Sequence, residues 1–254
     1  MLSIIPIPAF ADNYIWLIRN GEAAAVVDAG DATPVIDYME REGLDLCAIL
    51  CTHHHNDHIG GNRALLSRWN VPVFGPKNET IPGRTQALVE GDAITVPGLG
   101  LELSVLDIPG HTSGHIAYVG EGLLFCGDTL FAVGCGRLFE GTPAQMVSSL
   151  DKLSALPEGT AVYCGHEYTL ANLRFALAVE PTSAALQQRQ AREQAKRNRG
   201  VPTLPSTIGE ERVTNPFLRA DAPAVRKAAE RHAGRPLDDR VAVFAEIRSW
   251  KNTF

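Results

Sequence analysis

The residues best equipped for chemistry lie together in Thr52-His53-His54-His55-Asn56-Asp57-His58, closed by Ile59-Gly60-Gly61. Five of the first seven carry an imidazole or a carboxylate able to bind a metal. The stretch follows Ala48-Ile49-Leu50-Cys51, which reads as a short buried strand. Polar groups crowded against a buried strand need partners, because stripping them of water is otherwise costly. A divalent cation satisfies several at once. His53 and His55, two apart in extended chain, can point the same way. Asp57 and His58 follow where the chain turns and can face a second point. The spacing therefore predicts two adjacent metals, against the plainer reading of a histidine-rich surface loop.

The same arrangement, a strand ending on a potential ligand, recurs along the chain. His111 stands in a glycine-flanked turn after the run 103–108, Asp128 ends the run 123–127, and His166 ends the run 161–165. His115 opens the next strand and reads as a satisfied structural histidine. Asp28, just before Ala29-Gly30, is either a turn-former or a carboxylate orienting a metal-bound histidine. The candidates sort into His53, His55 and His111 for one metal and Asp57, His58 and His166 for a neighbour, with Asp128 as the natural bridge. Three or four protein ligands per metal leave positions open for water, the catalytic rather than the structural pattern. Two dications acidify a shared water and polarise a carbonyl, so the reaction class is metal-assisted hydrolysis without a serine or cysteine nucleophile. Imidazoles with carboxylates suit zinc, and iron or manganese also fits.

The elements that must position these residues are legible in outline. Strands are expected at 2–7, 14–19, from Ala23 to the end marked by Asp28, and at 48–51, 71–75, 103–108, 115–119, 123–127 and 161–165. Helices are expected at 33–42 and 61–69, and short β-like runs fill 85–108. After His166 the pattern turns helical, with segments at 169–179, 182–199, 222–233 and 238–248 and a Pro/Gly/Thr-rich loop at 200–216. The cations Arg189, Arg192, Lys196, Arg197 and Arg199 read as a solvated helix face. At 254 residues the chain fits one large domain, or one of about 170 residues plus a smaller one. A net charge of −6 speaks against a general nucleic-acid binder. The five cysteines form no Cys-x-x-Cys pair, which fits a reducing compartment. The first eight residues lack a basic segment and are broken by Pro6 and Pro8, and no apolar run is long enough to cross a bilayer. A cytoplasmic protein is expected.

The His-x-His-x-Asp-His pattern of residues 53–58 resembles that of the metallo-β-lactamase superfamily, whose order His111, Asp128 and His166 also follow. Over essentially its full length the chain resembles the glyoxalase II family, the hydroxyacylglutathione hydrolases. The narrower markers are Asp12-Asn13-Tyr14, Pro109-Gly110-His111-Thr112-Ser113-Gly114-His115, Gly127-Asp128-Thr129-Leu130-Phe131 and Gly134-Cys135-Gly136-Arg137. Gly165-His166-Glu167-Tyr168-Thr169, Thr214-Asn215-Pro216 and Arg248-Ser249-Trp250-Lys251 complete the set.

The resemblance implies an α/β fold, an αββα sandwich with the dinuclear site at one edge and a C-terminal all-helical domain. It divides the chain into a catalytic domain, 1–168, and a helical substrate-binding domain, 169–254. It implies two divalent ions, Zn2+ first with Fe or Mn as alternatives, and Asp57 and Asp128 as the catalytic carboxylates at the metals. The glutathione contacts fall on Arg137, Tyr168, Arg248 and Lys251, although Arg248 and Lys251 alone would read as a charged helix end. Two departures bear on affinity: Arg137 stands where many relatives have Lys, and Phe139 where some have Tyr. The implied reaction converts S-D-lactoylglutathione and related S-(2-hydroxyacyl)glutathiones to glutathione and the free acid, D-lactate in the first case, as the second step of methylglyoxal detoxification. The implied partner is this small thioester, with no nucleic acid and no membrane, and the chain is expected to act as a monomer. The rivals are a mononuclear-iron persulfide dioxygenase, a hydrolase of lactones, β-lactams or other esters, and a binding module with structural metals.

Overall fold

In the computed structural model, which describes residues 2–254, the first six strands form one sheet in sequence order. They are β1 (Ser3–Ala9), β2 (Asn13–Asn20), β3 (Ala23–Val27), β4 (Asp45–Leu50), β5 (Val73–Pro76) and β6 (Gln86–Leu88). β1 carries Pro6 and Pro8 and lies at the sheet edge, the place where missing N–H groups cost no ladder bonds. Gly21 takes φ +64° at the β2–β3 turn, as the Asn20-Gly21 pair predicts.

A second sheet holds β7 (Ala93–Val96), β8 (Leu101–Asp107), β9 (Ile116–Gly120) and β10 (Leu123–Gly127). A small hairpin, β11 (Leu130–Phe131) and β12 (Gly134–Cys135), stands apart. β13 (Ala161–Cys164) then joins the second sheet beside β10, and β14 (Ser206–Thr207) closes its edge.

The apolar runs of β2, β3 and β4 are continuous because both faces of their sheet are covered. Tyr14, Trp16 and Ile18 point to the core shared with Val105, Tyr118 and Phe125 of the second sheet. Ile15, Leu17, Val26 and Ile49 point the other way, against Val35 and Met39 of helix α1 (Ala32–Glu42). Gly43 ends α1 in the left-handed conformation, as expected of a glycine stop. Two short helices follow, α2 (Asn56–Ile59) and α3 (Asn62–Leu66); α4 (Pro143–Ser154) covers the shared core with Met146, Leu150 and Leu153. The architecture is the metallo-β-lactamase fold, with mixed sheets and a helical C-terminal region.

Five helices make up that region: α5 (Thr169–Val179), α6 (Ala184–Asn198), α7 (Ile208–Thr214), α8 (Pro223–Ala233) and α9 (Arg240–Thr253). The expected loop at 200–216 therefore holds a strand and a helix. Thr207 caps α7 by accepting from Glu210 N–H. Arg189 is also not on a solvated face: it is 3 % exposed, and its guanidinium donates to Glu211 at 2.6 Å. Glu211 is itself buried and accepts from the N–H of Val133 at 2.7 Å, while Asn215 Nδ2 donates to the carbonyls of Phe131 and Gly134 at 3.1 and 2.9 Å. The helical region thereby grips the β11–β12 hairpin, whose tip residue Val133 has φ +59°. That conformation is unfavourable for a β-branched side chain and persists only where its surroundings fix it.

Candidate metal centre

β3, β4 and the pair β10–β13 run parallel to their partners, so their C-terminal ends meet at one edge of the sandwich. Asp28, His53, Asp128 and His166 leave those ends within a few residues. The closeness explains the glycines: a Cβ on Gly30 would lie 1.8 Å from the Asp57 carbonyl oxygen, and one on Gly165 would lie 2.6 Å from Asp128 Oδ1. Only bare backbone fits at either place.

The ligand candidates gather into two groups. His53, His55 and His111 form one and Asp57, His58 and His166 the other, with ligand atoms in each within 4.8 Å of one another. His53 Nε2 and His111 Nε2 lie 3.1 and 3.0 Å from His55 Nδ1. Two nitrogens on one tetrahedral zinc, each at about 2.05 Å, would sit about 3.3 Å apart. Asp128 stands between the groups. One of its oxygens, Oδ2, is 3.5 Å from His111 Nε2 and 3.2 Å from His166 Nε2; the other, Oδ1, is 3.4 Å from His58 Nε2.

Each candidate ligand imidazole other than His55 is turned by a partner on its far nitrogen, which aims the near one at its group. His111 Nδ1 donates to the Arg137 carbonyl at 2.9 Å, and His166 Nδ1 donates to Asp12 Oδ1 at 2.8 Å. His58 Nδ1 donates to Asp28 Oδ2 at 3.1 Å. The Thr52 hydroxyl donates to Asp28 at 2.7 Å and so accepts from His53 Nδ1 at 3.1 Å. Asp28 is thus the orienting carboxylate and not merely a turn-former; it holds φ +55° to reach this position. Such outer partners fix the tautomer and aim of a metal-binding histidine.

Two further residues belong here that motif spacing alone did not assign a role. Asp12 aims His166, and Asn13 Nδ2 donates to Asp57 Oδ2 at 3.0 Å. Both stand in the Asp12-Asn13-Tyr14 marker, the only signal in the sequence that could have found them. His115 is satisfied as expected: its Nδ1 donates to the Ile116 carbonyl, its Nε2 accepts from Asp128 N–H, and its ring stacks on His53 at 4.5 Å.

The fit to cations rests on atoms that the protein itself leaves unpaired. His58 Nε2 and Asp128 Oδ1 are buried with no hydrogen-bond partner, facing each other. Buried polar atoms are rarely left so, and a shared cation satisfies both. Burial, with His58 nearby, holds His53 well below the usual imidazole range, and burial lowers His55 and His111 as well. These three are therefore neutral and free to ligate. Burial opposes charge on Asp128 too, yet the fields of His58 and His166 carry its pKa well down. Burial likewise disfavours charge on His58 and His166, but Asp128 raises both. Asp57 is held low despite burial, by His58 and by Asn13.

A cavity of about 620 Å3 opens over both groups, lined by His55, Asp57, His111, Asp128 and His166. Arg137, Tyr168, Arg248 and Lys251 line the same cavity, as does the exposed ring of Phe139. Tyr168 lies flat on His166, ring centroids 4.7 Å apart. Arg248 and Lys251 are not a solvated helix end. Arg248 is 5 % exposed, donates from Nη1 to the Cys135 carbonyl at 2.7 Å and leaves Nε buried without a partner. Lys251 donates to Asn172 Oδ1, and burial together with Arg248 pushes its pKa down to about 7. Three cationic side chains on one wall of a cavity that ends on imidazoles and carboxylates suit an anionic molecule with a reactive group at one end.

Comparison with known proteins agrees with this geometry. Residues 10–166 match the model of the metallo-beta-lactamase superfamily, and residues 167–254 match that of the hydroxyacylglutathione hydrolase C-terminus. The chain is 62 % identical over 254 residues to a hydroxyacylglutathione hydrolase of Alkalilimnicola ehrlichii, with 99 % of each chain covered. It is 54 % identical to one of Nitrosomonas eutropha, with all of both chains covered. Among solved structures, TTHA1623 in a di-iron-bound form is 26 % identical with a TM-score of 0.61, covering 84 % of this chain and 100 % of that one. ETHE1 from Myxococcus xanthus, at 24 % identity and a TM-score of 0.69, covers 98 % of this chain and 91 % of its own and shares the fold. Full-length identity to these hydroxyacylglutathione hydrolases, together with the two family models, on a site that already has the candidate ligands and the cationic side chains, means that this chain belongs to the hydroxyacylglutathione hydrolase family of the metallo-beta-lactamase superfamily.

Proposed function

We propose that this chain hydrolyses the thioester of S-D-lactoylglutathione and related S-(2-hydroxyacyl)glutathiones, giving glutathione and the 2-hydroxy acid, as the second step of methylglyoxal detoxification. The observation that carries the reading is the single cavity in which both ligand groups meet Arg137, Arg248 and Lys251. His53, His55 and His111 would hold one divalent cation, Asp57, His58 and His166 a second, and Asp128 would touch both. Bound there, the pair would supply an acidified water and a polarised thioester carbonyl. The donor set of imidazoles and carboxylates without thiolate supports zinc, with iron or manganese also accommodated.

The chain's own residues do the rest. Asp57 and Asp128 are the catalytic carboxylates, the first held by Asn13 and the second by the backbone contact to His115. Asp28, Asp12 and the Arg137 carbonyl keep His58, His166 and His111 aimed inward. Arg137, Arg248 and Lys251 bind the glutathione carboxylates, and Tyr168 packs along the peptide from its place on His166. The thiolate is a good leaving group and needs little protonation. Residues 1–168 would hold the metals and supply Arg137 and Tyr168, and residues 169–254 supply Arg248 and Lys251. The five free thiols support a reducing, cytoplasmic setting. Among the described residues no helix is long and apolar enough to cross a membrane. The chain is proposed to act as a monomer.

Purified protein offered S-D-lactoylglutathione, a lactone and a chromogenic β-lactam in parallel tests the substrate class. Thioester cleavage with release of D-lactate, at a kcat/KM far above the other two, is expected. Faster cleavage of the lactone or β-lactam would overturn the glutathione reading.

A further inference from the structure

A third group of metal-type side chains, His54 with Glu79 and Glu140, lies beside the site and outside both ligand groups. His54 does not line the cavity that His55 lines. Its Nδ1 is 3.0 Å from Glu79 Oε2, close but out of line for a hydrogen bond, and its Nε2 is 3.3 Å from Glu140 Oε1. The two carboxylates thus sit on opposite nitrogens of one ring. Ligands of a single cation converge on one point, whereas this arrangement spans two.

The far ends of both carboxylates reach the same short segment. Glu79, 7 % exposed, accepts through Oε1 from the Thr112 hydroxyl and from Gly114 N–H, the latter at 3.1 Å. Glu79 packs so closely on this segment that a Cβ on Gly114 would lie 2.6 Å from its Cγ. Glu140 accepts through Oε2 from Ser113 N–H at 2.8 Å. Residues 112–114 directly follow His111. Glu79 is itself held, since Arg84 Nη1 donates to its carbonyl at 2.6 Å. Glu140 is held by its own strip of chain, where Phe139 N–H donates to the His111 carbonyl at 3.2 Å and Gly141 N–H to that of Gly110 at 3.1 Å.

We infer that Glu79, His54 and Glu140 form a brace that ties the 53–58 loop to the 110–114 loop and so sets the spacing of the His53, His55 and His111 nitrogens. The inference rests on reading those three histidines as one cation position. That group is drawn from two loops and must keep His111 Nε2 3.0 Å from His55 Nδ1. The other group is held by Asn13 and Asp12 and by Asp28, which also reaches His53 through Thr52, and none of these touches the brace. The brace members are positioning residues: they touch no substrate, and they act on one cation position and not the other.

The test measures Zn2+ dissociation constants of the full-length protein by competition with a chromogenic chelator, in wild type and in Glu79→Gln, His54→Asn and the milder, surface-exposed Glu140→Gln. His111→Ala and His166→Ala variants identify which constant belongs to which position. Losing an outer partner typically weakens metal binding about 10- to 100-fold, so the His111-linked constant should rise by that factor in the first two variants and less in Glu140→Gln. The His166-linked constant should stay within about threefold, a smaller change than any outer-partner loss. Excess Zn2+ should restore kcat in all three, as a merely structural defect would not allow. Both constants rising together, or neither changing, would overturn the brace. A third equivalent of Zn2+ bound by wild type and lost in Glu79→Gln would overturn it in favour of a cation site. A wild-type protein that binds fewer than two equivalents would instead remove the ligand reading on which the brace stands.

Discussion

Replacing Lys251 by Met tests whether the buried ammonium binds the substrate's carboxylate, because its ionisation is displaced in a direction that binding must reverse. The Nζ atom donates to Asn172 Oδ1 and lies 6.0 and 5.8 Å from the ring centres of Phe175 and Phe217. Burial first, then the field of Arg248, brings its pKa down from the ordinary 10.5 to about 7. A lysine with that pKa is about 90 % charged at pH 6 and about 9 % charged at pH 8. A carboxylate placed against it stabilises the charged form and raises the pKa again. Binding should therefore take up about 0.9 proton at pH 8 and about 0.1 at pH 6, with affinity falling about tenfold per pH unit above 7. Calorimetric titration with S-methylglutathione, repeated in two buffers of different ionisation heat, reads both quantities. In Lys251→Met the extra proton uptake should vanish and the affinity at pH 6 should drop to the wild-type value at high pH. Equal proton counts in the two proteins, or a wild-type affinity flat from pH 6 to 9, would refute the reasoning.

Arg248→Ala removes a buried donor that lines the same cavity. A hydrogen bond to a charged group contributes about 1.5–3 kcal/mol, so KM should rise about 10- to 150-fold while kcat, read in the same steady-state assay, changes little. Asp28→Asn takes the charge from behind His58 Nδ1; chelator competition should show the cation position of Asp57, His58 and His166 weakened about 10- to 100-fold. Glu211→Gln leaves the Arg189 guanidinium buried with only the more distant Glu210, at 3.5 Å, to balance it. Breaking a buried ion pair costs about 3–5 kcal/mol; with Glu210 still near, the lower end should appear in urea unfolding, and no change would contradict the structural role of that pair.

The grouping of the candidate ligands was legible because it is written locally. His53, His55, Asp57 and His58 fall within six residues, and His111, Asp128 and His166 each follow an apolar run that only a strand end explains. What holds them was largely illegible, since those contacts join distant parts of the chain. Asp12 reaches His166 across 154 positions and Asn13 reaches Asp57 across 44. No periodicity reports such pairings. Arg189 looked solvent-facing because helical spacing describes its own helix and not Glu211, which meets it from α7 22 positions on. Other omissions did leave a signal. Thr142-Pro143-Ala144-Gln145 is a capping box with proline at the first turn, and α4 begins there. Thr207-Ile208-Gly209-Glu210 has the same Thr-x-x-acid/amide spacing without the proline, and Thr207 caps α7 there, inside the stretch read as a loop. The helical region's attachment to the β11–β12 hairpin, through Glu211 and Asn215, was hinted at only by Thr214-Asn215-Pro216.

The most direct measurement titrates metal-free protein with Zn2+ while following S-D-lactoylglutathione hydrolysis and bound metal on the same sample. Activity should climb to its plateau only as the second equivalent fills, and in Asp128→Ala, which lacks the carboxylate between the two groups, the plateau should collapse. Full activity at one equivalent, or none with two equivalents bound, would contradict a dinuclear thioester hydrolase.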